Sequence, residues 1–211
     1  MISFFIDTSL SYIRLALFKD DFLIDSINEK CEKNMSSLFD LKVRDLFERN
    51  SLSLNQVNKI YTVTGPGSFT GIRVGMTFSK VLAMALNIKI TPISELQVLA
   101  SSKNGNDKAA LIDARRGYVY VGIYDDDLNV LMNDRYMLLD DFLCLNKDVD
   151  FFSYDTFEHV SCFEPKIDFE RIIYKNKDKK QINFHVLTPN YLKLTEAEEK
   201  LRKKKDNDNL L

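Results

Sequence analysis

The chain has 211 residues, 45% of them hydrophobic, which is enough for a core in one large domain or two small ones. Lysine and arginine total 29 against 31 acidic residues, and a formal charge of −2 excludes a global basic field for nucleic acid. The spacing of Cys31, Cys144 and Cys162 indicates neither a disulfide framework nor a zinc site. The sequence begins without a basic signal-peptide region and has no apolar run of ~18 residues, so we expect a cytosolic protein without membrane contact.

The first half of the chain predicts three strands joined by short polar turns, followed by alternating helices and strands. The expected strands span residues 2–6, 12–18 and 22–27. They are followed by helices expected over 36–49, 71–86 and 95–101, which alternate with strands over 59–64 and 88–91. The polar segment 101–108 is the expected boundary between a lobe of residues 1–102 and a smaller lobe of residues 103–211.

The turn before the 71–86 helix is rich in glycine. Four of the seven glycines of the chain lie there: Gly65, Gly67, Gly71 and Gly75. Because Pro66 fixes a backbone dihedral, we interpret the run as a rigid structural turn, with Ser68 or Thr70 as the N-cap of the helix. Thr70 stands where a P-loop or a dinucleotide fingerprint requires glycine, so neither motif is present. A turn without a ligand and a turn that binds an anion both remain open.

The second half repeats the three-strand pattern over residues 109–114, 118–125 and 128–133. Patterned segments at 139–145 and 150–154 follow, and then the chain becomes strongly charged around 175–180, which predicts a truncated lobe. Thr195 and Glu198 form a possible capping box for a helix at the C-terminus. The basic run 202–205 is interpreted as a solvated helix face, with phosphate contact as the alternative.

Four segments together resemble the TsaB family of bacterial tRNA threonylcarbamoyladenosine synthesis. They are residues 6–9, the glycine run 64–75, the segment 112–120 and the segment 189–198. The resemblance implies an α/β, actin-like ATPase fold of ribonuclease-H-like lobes. It further implies a non-catalytic scaffold or activator that pairs with the catalytic homologue TsaD as a heterodimer, with TsaE in a larger complex and tRNA bound only through the complex. A homodimer of the isolated chain is also possible.

Asp7 and Asp113 each end a predicted strand and could hold a metal across a cleft between the lobes. Alternatively, both carboxylates accept hydrogen bonds from amides of their own turns. The turn after Asp7 has no glycine, which disfavours a nucleotide site, and His159 and His185 are interpreted as surface or packed residues. We therefore expect no catalytic, cofactor-binding or metal-binding residue. The alternative function is a small ATP-dependent kinase or metallopeptidase that uses Asp7 and Asp113.

The 71–86 helix carries a ridge of small residues every four positions, consisting of Gly71, Gly75, Ser79 and Ala83. Another element can approach such a ridge closely, either a helix of the same chain or a partner protein. The family resemblance implies that the first two helices contact TsaD. The predicted interface therefore comprises this ridge together with Arg73, Met76, Lys80, Met35, Leu38 and Phe39.

Overall fold

The computed structural model describes residues 1–102, 105–145 and 148–193. Its first sheet has five strands in the order β3-β2-β1-β4-β5, where β1–β2 and β2–β3 are antiparallel and β1–β4 and β4–β5 are parallel. The strands are β1 (Ile2–Asp7), β2 (Tyr12–Lys19), β3 (Phe22–Lys30), β4 (Val57–Val63) and β5 (Ile90–Ile93). The parallel pairs need crossover helices, and these are α1 (Met35–Arg49) before β4 and α2 (Phe69–Leu86) before β5.

The period-2 alternation of β1 and β2 gives the first sheet two apolar faces. One face buries Phe4 and Leu15 under α1 and α2. The other face buries Phe5 and Phe18 under a short helix, α5 (Phe169–Asn176), which contributes Ile172 among others. The sheet is therefore covered on both sides, as its parallel half requires.

The second sheet has the order β8-β7-β6-β9, in which the first three strands are antiparallel and β9 is parallel to β6. Its strands are β6 (Lys108–Asp113), β7 (Tyr118–Tyr124), β8 (Val130–Leu138) and β9 (Asp150–Phe152). Helix α3 (Glu95–Leu99) packs on the face toward the first lobe, and α4 (Leu139–Leu145) packs on the other. The repeat of a three-strand meander confirms the predicted actin-like architecture with a smaller second lobe.

The chain returns to the first sheet after β9. Helix α5 covers that sheet, Ile182 and Ile90 exchange two backbone hydrogen bonds of 2.8 and 2.9 Å, and Leu187 is buried in the core under α1 and α2. The predicted boundary at 102 assigns these residues to the second lobe, whereas their contacts are with the first. The expected capping box and the basic run 202–205 lie outside the described residues.

Within the described part of the chain, α2 is the helix that has the length and apolar content needed to cross a membrane. Its buried residues pack on β1 and β4 of the first sheet. This packing identifies α2 as a core helix of the α/β fold.

Candidate functional site

The glycine-rich turn lies against the β1–β2 hairpin. A Cβ atom on Gly67 would come within 2.2 Å of the carbonyl oxygen of Ser9, so only glycine allows this approach. The amide of Ser68 donates to the same carbonyl at 2.6 Å, and the carbonyl of Gly65 accepts from the amide of Glu95 at 3.0 Å. The turn, which includes the buried Pro66, thus joins the first hairpin to α3.

Helix α2 begins with a side-chain cap and then packs its small residues on the sheet. The hydroxyl of Ser68 accepts from the amide of Gly71, whereas Thr70, the alternative cap, is exposed. A Cβ atom on Gly71 would lie 2.1 Å from the carbonyl oxygen of Thr8, and one on Gly75 would lie 2.6 Å from the Thr8 hydroxyl. The ridge is therefore the surface through which α2 contacts β1 and its hairpin.

The rest of the ridge is buried in the same way. The hydroxyl of Ser79 donates to the carbonyl of Gly75 at 2.7 Å and accepts from the Thr62 hydroxyl, and Ala83 is fully buried. Met76 and Phe39 also belong to the core. The prediction that six residues face a partner does not hold in this structure, because these residues are packed inside the chain. They are Gly71, Gly75, Ser79, Ala83, Met76 and Phe39.

The accessible part of the predicted interface lies on the outer side of α1 and α2. Arg73 and Leu38 are exposed, and Met35 and Lys80 are half-buried. Between the two helices runs a groove of about 650 Å³ whose lining includes Arg73, Thr77 and Val81. Exposed apolar side chains on α2 line this groove or follow it along the helix, namely Phe69, Val81 and Met84, of which only Met84 was expected at the rim of the interface.

A buried charge cluster lies beneath the glycine turn. The guanidinium of Arg14 on β2 donates from one nitrogen, Nη1, to Asp7 at 2.5 Å and to Glu95 at 2.8 Å, and all three side chains are fully buried. The Ser9 hydroxyl lies 2.7 Å from both an Asp7 oxygen and a Glu95 oxygen. The cluster therefore joins β1, β2 and α3 at the base of the cleft between the lobes.

Two tyrosines cover the guanidinium on the cleft side. The rings of Tyr12 and Tyr154 are stacked with centroids 4.6 Å apart, and the Arg14 carbon Cζ lies 4.8 and 5.4 Å from these centroids. Tyr12 belongs to the first lobe and Tyr154 follows β9 of the second. The stacked pair thus closes the cleft directly above the buried cation.

The cluster holds two carboxylates against one cation. Burial, together with the nearby Asp7 carboxylate, raises the pKa of Glu95 to about 8 against the opposing effect of Arg14. Burial alone would lower the pKa of Arg14, but Glu95 and Asp7 outweigh it and hold that pKa above its usual value. A protonated Glu95 leaves one positive and one negative charge, which is the neutral combination that a dry interior favours.

Both carboxylates proposed for a metal are already engaged. One oxygen of Asp7 accepts from the Ser9 amide at 2.8 Å and the other accepts from Arg14. Asp113 accepts from the amide of Arg115 at 2.8 Å in its own turn. This is the hydrogen bonding that the alternative interpretation expected, with the Arg14 ion pair in addition. His159 and His185 are exposed, and the described residues contain no group of three or more potential metal ligands.

Sequence reasoning missed Arg14 and Glu95. The signal for Arg14 was available, since it interrupts an otherwise apolar strand at a position flanked by Ile13 and Leu15. An arginine among core positions requires a carboxylate partner. Its partner Glu95 lies 81 positions away, so no local pattern identifies it.

Comparisons with known proteins agree with this architecture. A family model described as TsaD, tRNA N6-adenosine threonylcarbamoyltransferase, matches residues 27–153. The tRNA threonylcarbamoyladenosine biosynthesis protein TsaB of Bacillus subtilis is 32% identical over 218 residues, covering 92% of this chain and 95% of that protein. The protein of the same name from Escherichia coli is 32% identical over 128 residues, which cover 59% of this chain and 55% of that protein.

A solved structure supports the fold. It is that of a Pseudomonas aeruginosa protein described as similar to the peptidase YeaZ, with a TM-score of 0.77 and 20% sequence identity. The superposition covers 91% of this chain and 99% of that one. The similarity shows that the two chains share the arrangement of lobes and sheets.

Proposed function

Because this chain belongs to the TsaB family, we propose that it is a non-catalytic subunit in the synthesis of threonylcarbamoyladenosine in tRNA. In this role it binds and activates a TsaD protein, which carries the reaction. A TsaE protein joins the larger complex, and the assembly works in the cytoplasm. The observation that carries the proposal is the exposed apolar surface on the outer side of α1 and α2, in a chain that aligns with B. subtilis TsaB over nearly its whole length.

The chemistry of this surface fits a helical partner. Phe69, Val81 and Met84 on α2 are each more than half exposed. The groove between the helices is open over about 650 Å³ and has few charged side chains in its lining. Apolar side chains at helical spacing beside a groove are the usual way in which one helix pair receives another. Arg73 and Lys80 lie on α2 beside these apolar groups and suit the polar rim of an interface.

The buried cluster supports a non-catalytic role. A carboxylate that holds a metal or a substrate must face solvent or a ligand, whereas Asp7 is fully buried and accepts hydrogen bonds from Arg14 and Ser9. Arg14 supplies internally the positive charge that a cation would otherwise provide. In this proposal the cluster fixes the relative position of β1, β2 and α3 and so shapes the scaffold.

The experiment is co-purification of this chain with the TsaD protein of the same cell. We expect Val81→Glu/Met84→Glu to fold normally but to lose the partner, because two charges would be buried in an apolar contact. Val130→Glu/Leu131→Glu on β8 is the matched control, since these side chains are exposed to a similar extent, 52% and 54% against 56% and 59%. The control should retain the partner.

Threonylcarbamoyladenosine in digested tRNA, measured by mass spectrometry, reports on function in the cell. Depletion of the chain should lower this nucleoside, and the Val81→Glu/Met84→Glu variant should fail to restore it. A variant that folds and still binds TsaD would exclude the α1–α2 surface as the interface. A normal nucleoside level after depletion would contradict the proposed function itself.

A further inference from the structure

A second exposed surface has a different chemistry from the α1–α2 groove. It consists of Tyr118, Tyr136, Tyr191, Lys193 and Arg116, which we call the tyrosine strip. Tyr118 and Tyr136 stack with centroids 4.7 Å apart and an interplanar angle of 10°, and the Lys193 ammonium lies 5.4 Å from the Tyr136 centroid. Segments 112–120 and 189–193, which are far apart in the sequence, therefore meet at one place.

The tyrosine strip continues toward the first lobe. Tyr191 stacks on Phe69 with centroids 5.7 Å apart, and the Arg73 guanidinium lies 3.8 Å from the Phe69 centroid and donates to the Tyr191 hydroxyl. Phe69 and Arg73 also line the groove between α1 and α2. The strip therefore begins beside the proposed docking surface and ends at the hairpin before β7.

The hairpin presents Arg116 at its tip. Arg115, Arg116 and Gly117 have φ values of 70°, 58° and 76°, so three successive residues lie in the left-handed region. Two of them are not glycine, and non-glycine residues held in this backbone conformation cluster at functional sites. Arg115 pairs with Asp113 at 3.3 Å, whereas Arg116, Lys193 and Arg73 form no ion pair with any described residue. The amide of Leu139 donates to the carbonyl of Gly117 at 2.9 Å, so the acidic first turn of α4 begins beside this tip, but neither Asp140 nor Asp141 forms an ion pair with Arg116.

We propose that the tyrosine strip binds an unpaired stretch of the tRNA substrate, and this inference rests on the proposed function. Tyr191 is exposed and Tyr118 and Tyr136 are half-buried, so each ring offers part of its surface to an unpaired base, and Arg116 and Lys193 have no carboxylate partner among the residues described that competes with a phosphate. The aliphatic side chains beside the groove suit a protein helix, but partly exposed tyrosines interleaved with cations suit RNA. The strip gives this chain a local site for RNA although its net charge is −2.

The test uses the purified complex of this chain with TsaD and a labelled transcript of a tRNA that reads A-initial codons, the class of tRNA that the family resemblance implies as the substrate. We expect Arg116→Ala/Lys193→Ala to weaken binding on the order of tenfold and to lower the slope of log affinity against log salt by about 1.4, because two phosphate contacts are lost. The matched control is Lys19→Ala/Arg135→Ala. It removes two exposed charges, of which Arg135 adjoins Tyr136 in β8 but lies on the opposite face of the sheet. The control should leave affinity and slope unchanged.

Stacking is tested separately at Tyr191, which is 44% exposed. Tyr191→Leu should weaken RNA binding on the order of tenfold, whereas Tyr191→Phe should bind nearly as the native complex does. Unchanged RNA affinity in the Arg116→Ala/Lys193→Ala variant would overturn the proposal, as would loss of TsaD from that variant, because the strip would then belong to the protein interface. Failure of the native chain to co-purify with TsaD contradicts the proposed function instead. In that case the same titration with the chain alone still decides whether the strip binds RNA.

Discussion

Replacing Glu95 by glutamine tests whether the folded protein keeps this buried carboxyl group protonated. Burial first, and then the Asp7 carboxylate, raises the pKa of Glu95 to about 8. Glutamine has nearly the shape of a protonated glutamic acid, and its amide can still accept from Arg14 and donate to the Ser9 hydroxyl. We therefore expect Glu95→Gln to fold and to keep the geometry of the cluster.

The size of the effect follows from linkage between proton binding and folding. In the unfolded chain Glu95 titrates near its usual value of 4.5, so between about pH 4.5 and 8 the folded protein binds a proton that the unfolded chain does not. The free energy of unfolding of the native protein must then fall as the pH rises through this window. At about 1.36 kcal/mol per pH unit, the full window corresponds to on the order of 5 kcal/mol. Glu95→Gln lacks this dependence, so it should match the native protein near about pH 4.5 and exceed its stability near about pH 8.

Urea unfolding followed by circular dichroism at several pH values across the window measures this difference. Glu48→Gln on the exposed side of α1 is the control, since it removes one carboxylate without touching the cluster. The two Gln variants should differ clearly in the slope of stability against pH. Two results would show that Glu95 is ionised in the folded protein. One is an equal slope of stability against pH for Glu95→Gln and the native protein, and the other is a Glu95→Gln variant that is less stable than the native protein near about pH 8.

Three further substitutions test other parts of the structure. Arg14→Met should cost about 3–5 kcal/mol of unfolding free energy in urea titrations, because it leaves two buried carboxyl groups without their cation, and the cost should shrink at acid pH. Equal loss at acid and neutral pH would contradict the charge argument. Gly75→Leu should unfold the isolated chain by circular dichroism, since even a Cβ atom would lie 2.6 Å from the Thr8 hydroxyl. A folded Gly75→Leu variant that merely loses TsaD would return the small ridge to the partner interface. Val81→Glu alone should retain the native melting temperature and bind TsaD at least tenfold more weakly, about 1.4 kcal/mol, in a titration; an unchanged affinity would place the interface elsewhere.

Much of the fold could be predicted because its signals are local. Each signal lies within a window of fewer than about 20 residues. The signals are the alternation of apolar side chains in β1 and β2, their helical spacing in α1, and the glycine turn before α2. The restart of the three-strand pattern at β6 was likewise visible. Helix α5 was not predicted, because the eight residues Phe169–Asn176 form only about two turns and are set between polar segments.

The candidate site was harder to predict for two physical reasons. A helix such as α2 has apolar and small residues on adjacent sides, and the sequence does not say which side meets the sheet. The close approach of Gly71 and Gly75 to Thr8 decides it, and this contact joins residues more than 60 positions apart. The ion pairs of Arg14 with Asp7 and Glu95 join residues 7 and 81 positions apart, and no local pattern in the sequence identifies Glu95 as a partner.

The return of the chain to its first sheet bears on synthesis. One apolar face of the first sheet, formed by Phe5, Ala16 and Phe18, is synthesised early. The residues of α5 that pack on this face follow about 150 residues later; they are Phe169, Ile172 and Ile173. During that interval the nascent first sheet exposes an apolar face, and at ordinary elongation rates of about 5–20 residues per second the exposure lasts on the order of ten seconds. The first lobe is thus completed only after α5 has been synthesised. Nascent chains stalled before residue 169 should therefore depend on chaperones, whereas chains stalled far enough beyond residue 176 for α5 to leave the ribosome should not.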